Sequence, residues 1–299
     1  MEHIKIDNKI YGYAVNFKDN KEIRTSFNSL TRKTYGFDFE EWYQNGYWKD
    51  KYIPYALLDG EKVISNVSVN IIDFLVMGEK KRCIQIGTVM TDVEYRNQGL
   101  SKFIMEKVLE EWKDKCDMIY LFANDSVLDF YPKFRFRPAN EYQHSININS
   151  ERTTSTAKRL NMSDEKDRSF LINTIRKSLP VSKLAMCDKE SLIMFYCTSF
   201  MKQNVYYIES LDTIVIADYD ENILYLNDVF SLRDVSLDDI IAAMVNKEIR
   251  KIVFGFTPVD TTSYDVNLLI EEDTTLFVMG DKVDFFKNKQ IMFPLLSHA

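Results

Sequence analysis

The segment from Gly87 to Ser101 contains the residues whose types and spacing are best suited to bind an anion. A predicted strand ends at Thr91, and an amphipathic helix begins at Leu100 after a short loop. The free N–H groups at the amino end of a helix carry roughly half a positive charge and bind phosphate. In the loop, Gly99 has no Cβ to obstruct a ligand, and Arg96 presents a fork of donors to phosphate oxygens. A tight strand-to-helix turn with a solvated arginine is an equally good interpretation of the loop alone.

The loop matches neither G-x-G-x-x-G nor G-x-x-x-x-G-K-[ST], which excludes the usual dinucleotide and P-loop interpretations. Its six residues, Arg96-Asn97-Gln98-Gly99-Leu100-Ser101, instead resemble the [Q/R]-x-x-G-x-[G/A] signature of the GCN5-related N-acetyltransferases, the GNAT superfamily. The stretch 130–138, Phe-Tyr-Pro-Lys-Phe-Arg-Phe-Arg-Pro, is similar to that family's F-Y-x-K-x-G-F-x-P ending. The resemblance covers roughly residues 20 to 148, in the family's order of elements.

This resemblance implies an acetyl-CoA site in a gap where two parallel strands splay apart. The pyrophosphate would lie on backbone N–H groups at the helix start, and the pantetheine arm would pair with the preceding strand end like an added β-strand. A side chain just past the next strand would hydrogen-bond the arm. The cofactor-binding residues implied in this way are Val89, Met90, Thr91, Arg96, Asn97, Gln98, Gly99, Leu100, Ser101 and Asn124.

The resemblance also gives Tyr131 the role of the family's usual general acid. An amine attacks the thioester carbonyl, and the collapsing intermediate expels a thiolate. A free thiol has a pKa of ~8.5 and a tyrosine ~10, so a nearby phenol can protonate the departing sulfur, an effect typically worth ~100- to 10,000-fold. A core or boundary aromatic is the alternative interpretation in a chain with 17 tyrosines.

Two positions depart from the family pattern. Ser101 replaces the usual Gly or Ala, a small change whose hydroxyl can donate to phosphate. Arg135 replaces the usual Gly of the second motif, and an arginine is less suited than glycine to a positive φ. The local backbone and the pose of Tyr131 are therefore open at this level.

The sequence does not identify a general base. Asp38, Glu40 and Glu41 lie in the aromatic-rich stretch 38–48, where the family places acceptor-binding helices. An acidic, aromatic wall suits a cationic amine, and a solvated acidic helix with its aromatics in the core is at least as good an interpretation. A polar strand face is open in the same way, either as part of the acceptor cleft or as an ordinary wet face; it comprises Asn66, Ser68 and Asn70.

Alternating strands and helices are predicted to position these residues. Cys83 to Thr91 and Met118 to Ala123 are apolar strands, and Leu100 to Trp112 between them carries one apolar stripe opposite charged residues. Val127 to Phe134 is predicted as a short helix, Glu141 to Ile148 as a strand that closes the first half, and the tail from Thr275 as two more strands. We therefore predict an α/β (α+β) GNAT acyl-CoA N-acyltransferase fold, with a mixed central sheet flanked by helices.

The second half repeats this order of elements without repeating the sequence. The polar stretch 149–156 is predicted to link an N-acetyltransferase domain at 1–149 to a degenerate GNAT-like domain at 156–299. The connection 231–236 has no glycine, and three aspartates surround the next helix start, so we expect the second domain to keep the fold and lose its CoA site.

The chain's C-terminus is a further candidate, because some two-domain members of the family bring it to the active site. That resemblance would make the Ala299 carboxylate or His298 a proton acceptor.

Composition limits the remaining classes. With 45 acidic and 38 basic residues the net charge is −7, which disfavours nucleic-acid binding. The four cysteines and three histidines are too widely spaced for a zinc motif, so no metal is expected. The start lacks the apolar core of a signal peptide, and no run of ~18 apolar residues occurs. We therefore expect a cytoplasmic protein without a membrane span.

Together these features predict an acetyl-CoA-dependent N-acetyltransferase that acts by direct transfer to a primary amine of a small molecule or a peptide. The negative charge weakly favours a cationic acceptor. The alternative is a non-catalytic acyl-CoA-binding or interaction module on the same fold, which Arg135 keeps open. The oligomeric state is not predicted.

Overall fold

The computed structural model describes residues 1–149, 155–280 and 289–298. In the first half, the strands are β1 (Glu2–Ile6), β2 (Lys9–Val15), β3 (Tyr52–Asp59), β4 (Lys62–Val76), β5 (Glu79–Thr91), β6 (Met118–Ala123), β7 (Phe136–Pro138) and β8 (Tyr142–Asn147). The helices there are α1 (Lys21–Tyr35), α2 (Glu40–Gln44) and α3 (Leu100–Trp112).

In the second half, the strands are β9 (Lys158–Arg159), β10 (Leu184–Met186), β11 (Val205–Ile208), β12 (Thr213–Asp220), β13 (Ile223–Ser231), β14 (Lys251–Phe254), β15 (Asp265–Leu268) and β16 (Thr275–Met279). The helices there are α4 (Glu165–Lys177), α5 (Glu190–Thr198) and α6 (Leu237–Met244). None of the helices in the described ranges is long and apolar enough to cross a membrane.

The first sheet has the strand order β1-β2-β3-β4-β5-β6-β16-β7, with β10 added along β4. Helices cover both of its faces. Successive residues of a strand point to opposite faces, so each strand contributes side chains to the helices on both sides. On β3, Tyr55 and Leu57 belong to the same apolar cluster as α3, whereas Ala56 and Leu58 belong to the cluster of α1. The predicted mixed sheet flanked by helices is thus confirmed.

The parallel strands β5 and β6 separate near their carboxyl ends. They are paired from Cys83 to Ile86 on β5, opposite Met118 to Leu121 on β6. Beyond that point β5 contains a bulge, where its pairing with β4 shifts register and Thr88 has a φ of 48°. The bulge turns β5 away from β6 and opens a gap in the sheet.

The second sheet has the order β15-β8-β14-β13-β12-β11-β9. Its strands β13 and β14 are parallel and are connected through α6, as β5 and β6 are connected through α3. Two sheets, each with one β-α-β unit of this kind, fit the predicted tandem arrangement.

The two halves exchange strands. β8, which the sequence analysis placed at the close of the first half, pairs with β14 and β15 of the second sheet. In return, β16 pairs with β6 and β7 of the first sheet. The domain boundary at 149 and 156 remains a prediction; residues 150–154 of the linker lie outside the described ranges, and β8, β10 and β16 each pair with the sheet of the other half.

Two predicted elements differ in the structure. The stretch 127–134, predicted as a helix, forms two short 3-10 turns at Asp125–Val127 and Tyr131–Phe134. Of the two strands predicted after residue 275, β16 is described; residues 281–288 lie outside the described ranges, and 289–298 end in a 3-10 turn at Leu295–Ser297.

Candidate active site

A cavity of about 960 Å³ lies where β5 and β6 separate. It runs from the loop before α3, along the end of β5, to a group of aromatic side chains between α1 and α2. Tyr131 lines it, as does each of the predicted cofactor-binding residues except Gln98. The Gln98 side chain turns to the side of the loop, where it donates to the Glu94 carbonyl at 3.4 Å and accepts from the Tyr11 hydroxyl at 3.4 Å.

The loop before α3 leaves the amino end of that helix accessible. Asn97 and Gly99 have φ values of 61° and 73°, so two left-handed residues turn the chain directly into the helix. No described side chain caps this end, and its first turn carries no acidic residue. Arg96 is exposed beside it, with Nε donating to the Thr91 carbonyl at 3.3 Å. Such an end can accept an anion from the cavity.

Hydroxyl groups tie this helix start to the sheet. The Ser101 hydroxyl lies 2.6 Å from the Thr91 hydroxyl, which in turn lies 2.8 Å from the Ser65 hydroxyl. The hydroxyl predicted as a phosphate donor therefore already has a partner within the protein.

The end of β5 presents backbone groups to the cavity. The Val89 carbonyl accepts from the Tyr35 hydroxyl at 2.9 Å. At the bulge, the Thr88 carbonyl accepts from the Asn66 side-chain amide at 2.9 Å. The Thr88 hydroxyl lies 2.7 Å from the Tyr52 hydroxyl. These bonds hold the bulge in place and show that Asn66 supports β5 from within the protein.

Asn124 is oriented by a residue from the second half of the chain. Its Nδ2 lies 2.9 Å from the Asp273 carboxylate and 3.3 Å from the Asp273 carbonyl, and the same carboxylate accepts the Asp125 N–H at 2.7 Å. A carboxylate only accepts, so it fixes the amide with its nitrogen toward Asp273 and leaves Oδ1 as an acceptor. Asp273 was not predicted from the sequence, since no local pattern links positions 149 residues apart.

Tyr131 is buried, with 5% of its surface exposed. Its ring lies 5.3 Å from that of Phe130 and 5.9 Å from that of Phe277 on β16. Burial raises the pKa of this phenol above its usual value of 10.0, so the group is protonated at neutral pH.

The turn that presents Tyr131 is closed by Arg135 in a left-handed conformation, with φ 67° and ψ 21°. Its N–H donates to the Pro132 carbonyl at 3.1 Å, and its own carbonyl accepts from Gly280 at 2.9 Å. Arginine therefore adopts a conformation that favours glycine, and the turn is retained.

The acidic candidates for a general base are paired away from the cavity. Asp38 forms an ion pair with Arg32, Glu40 with Arg24 at 3.0 Å, and Glu41 with Lys202 at 3.2 Å. None of the three is among the described residues that line the cavity, although the neighbouring Trp42 is. The polar face of β4 is likewise buried and does not line it; that face comprises Asn66, Ser68 and Asn70.

The C-terminal segment lies behind the cavity wall. The half-buried His298 has its ring stacked on Phe122, which lines the cavity, with centroids 3.8 Å apart. Burial lowers the pKa of His298 to about 3, so the imidazole is neutral. Glu141 fixes the same segment by accepting the Phe293 N–H at 2.7 Å, and burial raises the pKa of that carboxyl to about 8. Ala299 lies outside the described residues.

The equivalent position in the second sheet is closed. The Gly255 N–H donates to the Leu226 carbonyl at 2.9 Å, and the Gly255 carbonyl accepts from Leu295 at 2.7 Å. The hydroxyl of Ser236 caps α6 by accepting the Asp238 N–H at 3.2 Å. Consequently, the amino end of α6 has fewer free N–H groups than that of α3, and the C-terminal segment borders the end of β14.

Metal ligands were not expected from the sequence. Within the described ranges, no three His, Cys, Asp or Glu side chains are grouped in a way that could hold a metal ion.

Comparison with known proteins gives a family match for part of the chain. The model of the acetyltransferase (GNAT) domain matches residues 14–139. No curated protein matches the chain.

Several solved structures share the fold. A conserved protein of unknown function from Enterococcus faecalis is 17% identical, with 89% of this chain and 72% of that chain covered and a TM-score of 0.59. A GCN5-related N-acetyltransferase from Kribbella flavida is 14% identical, with 89% and 71% covered and a TM-score of 0.53. Eis1 from Mycobacterium abscessus is 10% identical, with 89% and 73% covered and a TM-score of 0.52. At these identities the likeness establishes the fold, and it extends well into the second half.

Proposed function

We propose that this protein, whose residues 14–139 match the model of the acetyltransferase (GNAT) domain, transfers an acetyl group from acetyl-CoA to the primary amine of a small molecule or peptide. The observation that carries the proposal is a single cavity that joins an uncapped helix start to a buried phenol, Tyr131. The first suits the pyrophosphate of the cofactor, and the second suits its departing sulfur.

The cofactor would be held along the wall formed by β5 and α3. The N–H groups from Asn97 to Ser101 and the guanidinium of Arg96 suit the pyrophosphate. The edge from Val89 to Thr91 suits the pantetheine arm. The Tyr35 hydroxyl now occupies the Val89 carbonyl, so the arm would compete with Tyr35 for that acceptor.

The carbonyl Oδ1 of Asn124 provides a second contact for the arm. Because Asp273 holds the amide nitrogen, Oδ1 is left to accept an N–H of the arm. This contact would be formed across the gap from β5.

In the reaction, the thioester supplies the carbonyl carbon. The acceptor nitrogen bonds to that carbon, the carbon–sulfur bond breaks, and Tyr131 protonates the sulfur. The proton lost by the nitrogen passes to water, which then returns a proton to the Tyr131 phenolate. The phenol of Tyr131 is protonated at neutral pH, so the acid form is present before each turnover.

Replacement of the acid tests the catalytic proposal. In Tyr131→Phe we expect kcat to fall ~100- to 10,000-fold, because the phenol is lost, while acetyl-CoA affinity is unchanged. The assay follows free CoA release with acetyl-CoA and a panel of amines, and calorimetry measures binding. Tyr13→Phe is the matched control, since Tyr13 is half-buried and does not line the cavity. An unchanged kcat in Tyr131→Phe contradicts the catalytic role, and a wild type that binds CoA without any turnover favours the binding-module alternative.

Replacement of the arginine tests the binding site. We expect Arg96→Ala to weaken acetyl-CoA binding roughly 10- to 100-fold, since a charged hydrogen bond contributes about 1.5–3 kcal/mol. Arg233→Ala is its control, because Arg233 holds the corresponding connection before α6 by donating to Leu211 and Ser210 carbonyls. Equal affinities of the two variants would remove Arg96 from the site.

A further inference from the structure

One end of the cavity is an aromatic chamber, which we define by Phe37, Phe39, Trp42, Tyr52, Leu192 and Phe195. Two regions of the chain build it, the α1–α2 region with β3 and helix α5 of the second half. The rings of Phe39 and Phe195 stack with centroids 5.4 Å apart, and those of Trp42 and Tyr52 meet edge to face at 5.6 Å. The chamber is therefore a preformed apolar wall and not a set of mobile surface side chains.

The polar atoms of the chamber walls are already paired. The Trp42 indole N–H donates to the Ser191 carbonyl at 2.8 Å, and the Tyr52 hydroxyl lies 2.7 Å from the Thr88 hydroxyl. A ligand body in this space would therefore meet mainly ring faces and edges, which favour apolar and aromatic groups.

The charge around the cavity does not suit a polycation. Among its described lining residues, Asp273 is the one carboxylate, and it is bound to the Asn124 amide and the Asp125 N–H. Arg96 and Lys102 line the same cavity and carry positive charge. The net charge of −7 therefore says little about the acceptor, because Asp38, Glu40 and Glu41, which are close to the chamber residues in the sequence, are paired outside the cavity.

The chamber adjoins the place where transfer would occur. The Thr88 hydroxyl, at the bulge, contacts the hydroxyl of Tyr52 in the chamber. The Thr91 hydroxyl contacts the hydroxyl of Ser101 in the first turn of α3. Three residues of extended chain, about 10 Å, separate the two contacts. A cofactor held at the α3 loop with its arm along β5 would direct its acetyl group toward Thr88 and the chamber.

We propose that the chamber binds the acceptor, and that this acceptor is an amine carried on an aromatic or compact apolar body, an arylalkylamine in place of a polyamine. The inference rests on the proposed acetyl transfer and adds its substrate class. The ring of the acceptor packs among Phe37, Phe39 and Phe195, and its amine reaches toward Thr88, where the acetyl group is presented.

The first test compares amines on the full-length protein with acetyl-CoA. We expect kcat/KM to be about 10- to 100-fold higher for phenethylamine or tryptamine than for spermidine, the range that an apolar pocket discriminates. Equal or higher kcat/KM for spermidine overturns the inference while leaving acetyl transfer intact. Acetyl-CoA binding with no transfer to any amine overturns the proposed function. In that case, each amine is titrated into the CoA complex and its binding is followed by Trp fluorescence. Tighter binding of spermidine than of phenethylamine rejects the inference about the chamber.

The second test places a charge in the chamber. Leu192 is half-buried on α5, so Leu192→Asp adds a carboxylate at the chamber wall. We expect the ratio of kcat/KM for phenethylamine to that for spermidine to fall at least about 10-fold. Ile10→Asp is the control, since Ile10 is 68% exposed on β2, and its ratio should not change. An unchanged ratio in Leu192→Asp contradicts the inference.

Phe37→Leu provides a milder variant that keeps the wall apolar and removes one ring. We expect kcat/KM for phenethylamine to fall about 3- to 10-fold, with KM for acetyl-CoA unchanged. A fall in acetyl-CoA affinity instead, or a preference of the wild type for hexanoyl-CoA over acetyl-CoA, assigns the chamber to the acyl donor and overturns the inference.

Discussion

Replacing Arg135 with glycine is expected to stabilise the protein without altering the turn that presents Tyr131. Arg135 is exposed and has a φ of 67°. The left-handed conformation costs a non-glycine residue about 1–2 kcal/mol, whereas glycine loses about 0.5–1 kcal/mol more conformational entropy on folding. The difference predicts a gain of about 0.5–1 kcal/mol in the free energy of unfolding of Arg135→Gly.

Equilibrium unfolding in urea measures this gain. With a slope of about 3 kcal/mol per molar urea, the midpoint should rise by about 0.2–0.3 M. Arg135→Ala is the matched control, because alanine also removes the arginine side chain but keeps the backbone strain at positive φ. We therefore expect Arg135→Ala to be no more stable than the wild type.

Two results would refute this reasoning. If Arg135→Ala is stabilised as much as Arg135→Gly, the effect comes from the arginine side chain and not from the backbone. If Arg135→Gly lowers kcat, the pose of Tyr131 depends on the arginine, and the departure from the family motif matters for catalysis. An unchanged kcat supports a turn that arginine and glycine form alike.

Two further predictions concern contacts between the halves of the chain. Asp273→Gly permits the φ of 55° but removes the carboxylate acceptor of the Asn124 amide, so we expect acetyl-CoA to bind about 5- to 10-fold more weakly, a loss of about 1 kcal/mol. Asp273→Asn keeps an acceptor and should change the affinity less than about twofold; calorimetry that finds the two variants alike would count against this contact. For Glu141, folding raises the pKa to about 8, so its stabilising effect is complete below the ordinary pKa and is lost as pH rises through about 8. In Glu141→Gln, which stays neutral, urea unfolding at pH 6 and pH 9 should show a smaller loss than in the wild type, and a loss of equal size would assign the pH dependence to another group.

The elements nearest the site were predictable because their signals are local. α3 spans Leu100–Trp112 as predicted, since a stripe of apolar residues at helical spacing needs no knowledge of its partner strands. The glycine and arginine of the preceding loop likewise follow from short-range motif spacing. The side chain of Gln98 does not line the cavity, in contrast to the prediction, because a motif fixes the path of the backbone and not the direction of every side chain.

The parts that were missed depend on contacts between distant segments. The position of β16 between β6 and β7 cannot be predicted from the sequences of these strands. The alternation of apolar and polar residues in a strand shows which face is buried and not which strand is its neighbour. The role of the acidic stretch 38–48 could not be decided from the sequence for a related reason. Its composition is the same whether its carboxylates face a ligand or an arginine. The structure separates the two interpretations: the carboxylates are paired outside, and Trp42 lines the cavity.

The exchange of β8 and β16 has a consequence for biosynthesis. The first sheet lacks the strand between β6 and β7 until residues 275–279 have left the ribosome, although the rest of that sheet is available much earlier. Domains generally fold as units during synthesis, and unpaired strand edges in incomplete ones promote aggregation. The edge of β6 in the nascent first half therefore stays unpaired until β16 is synthesised. The packing of Tyr131 on Phe277 and the hydrogen bond from Asn124 to Asp273 both form after that point. Emergence of β16 is the event that completes the cavity wall.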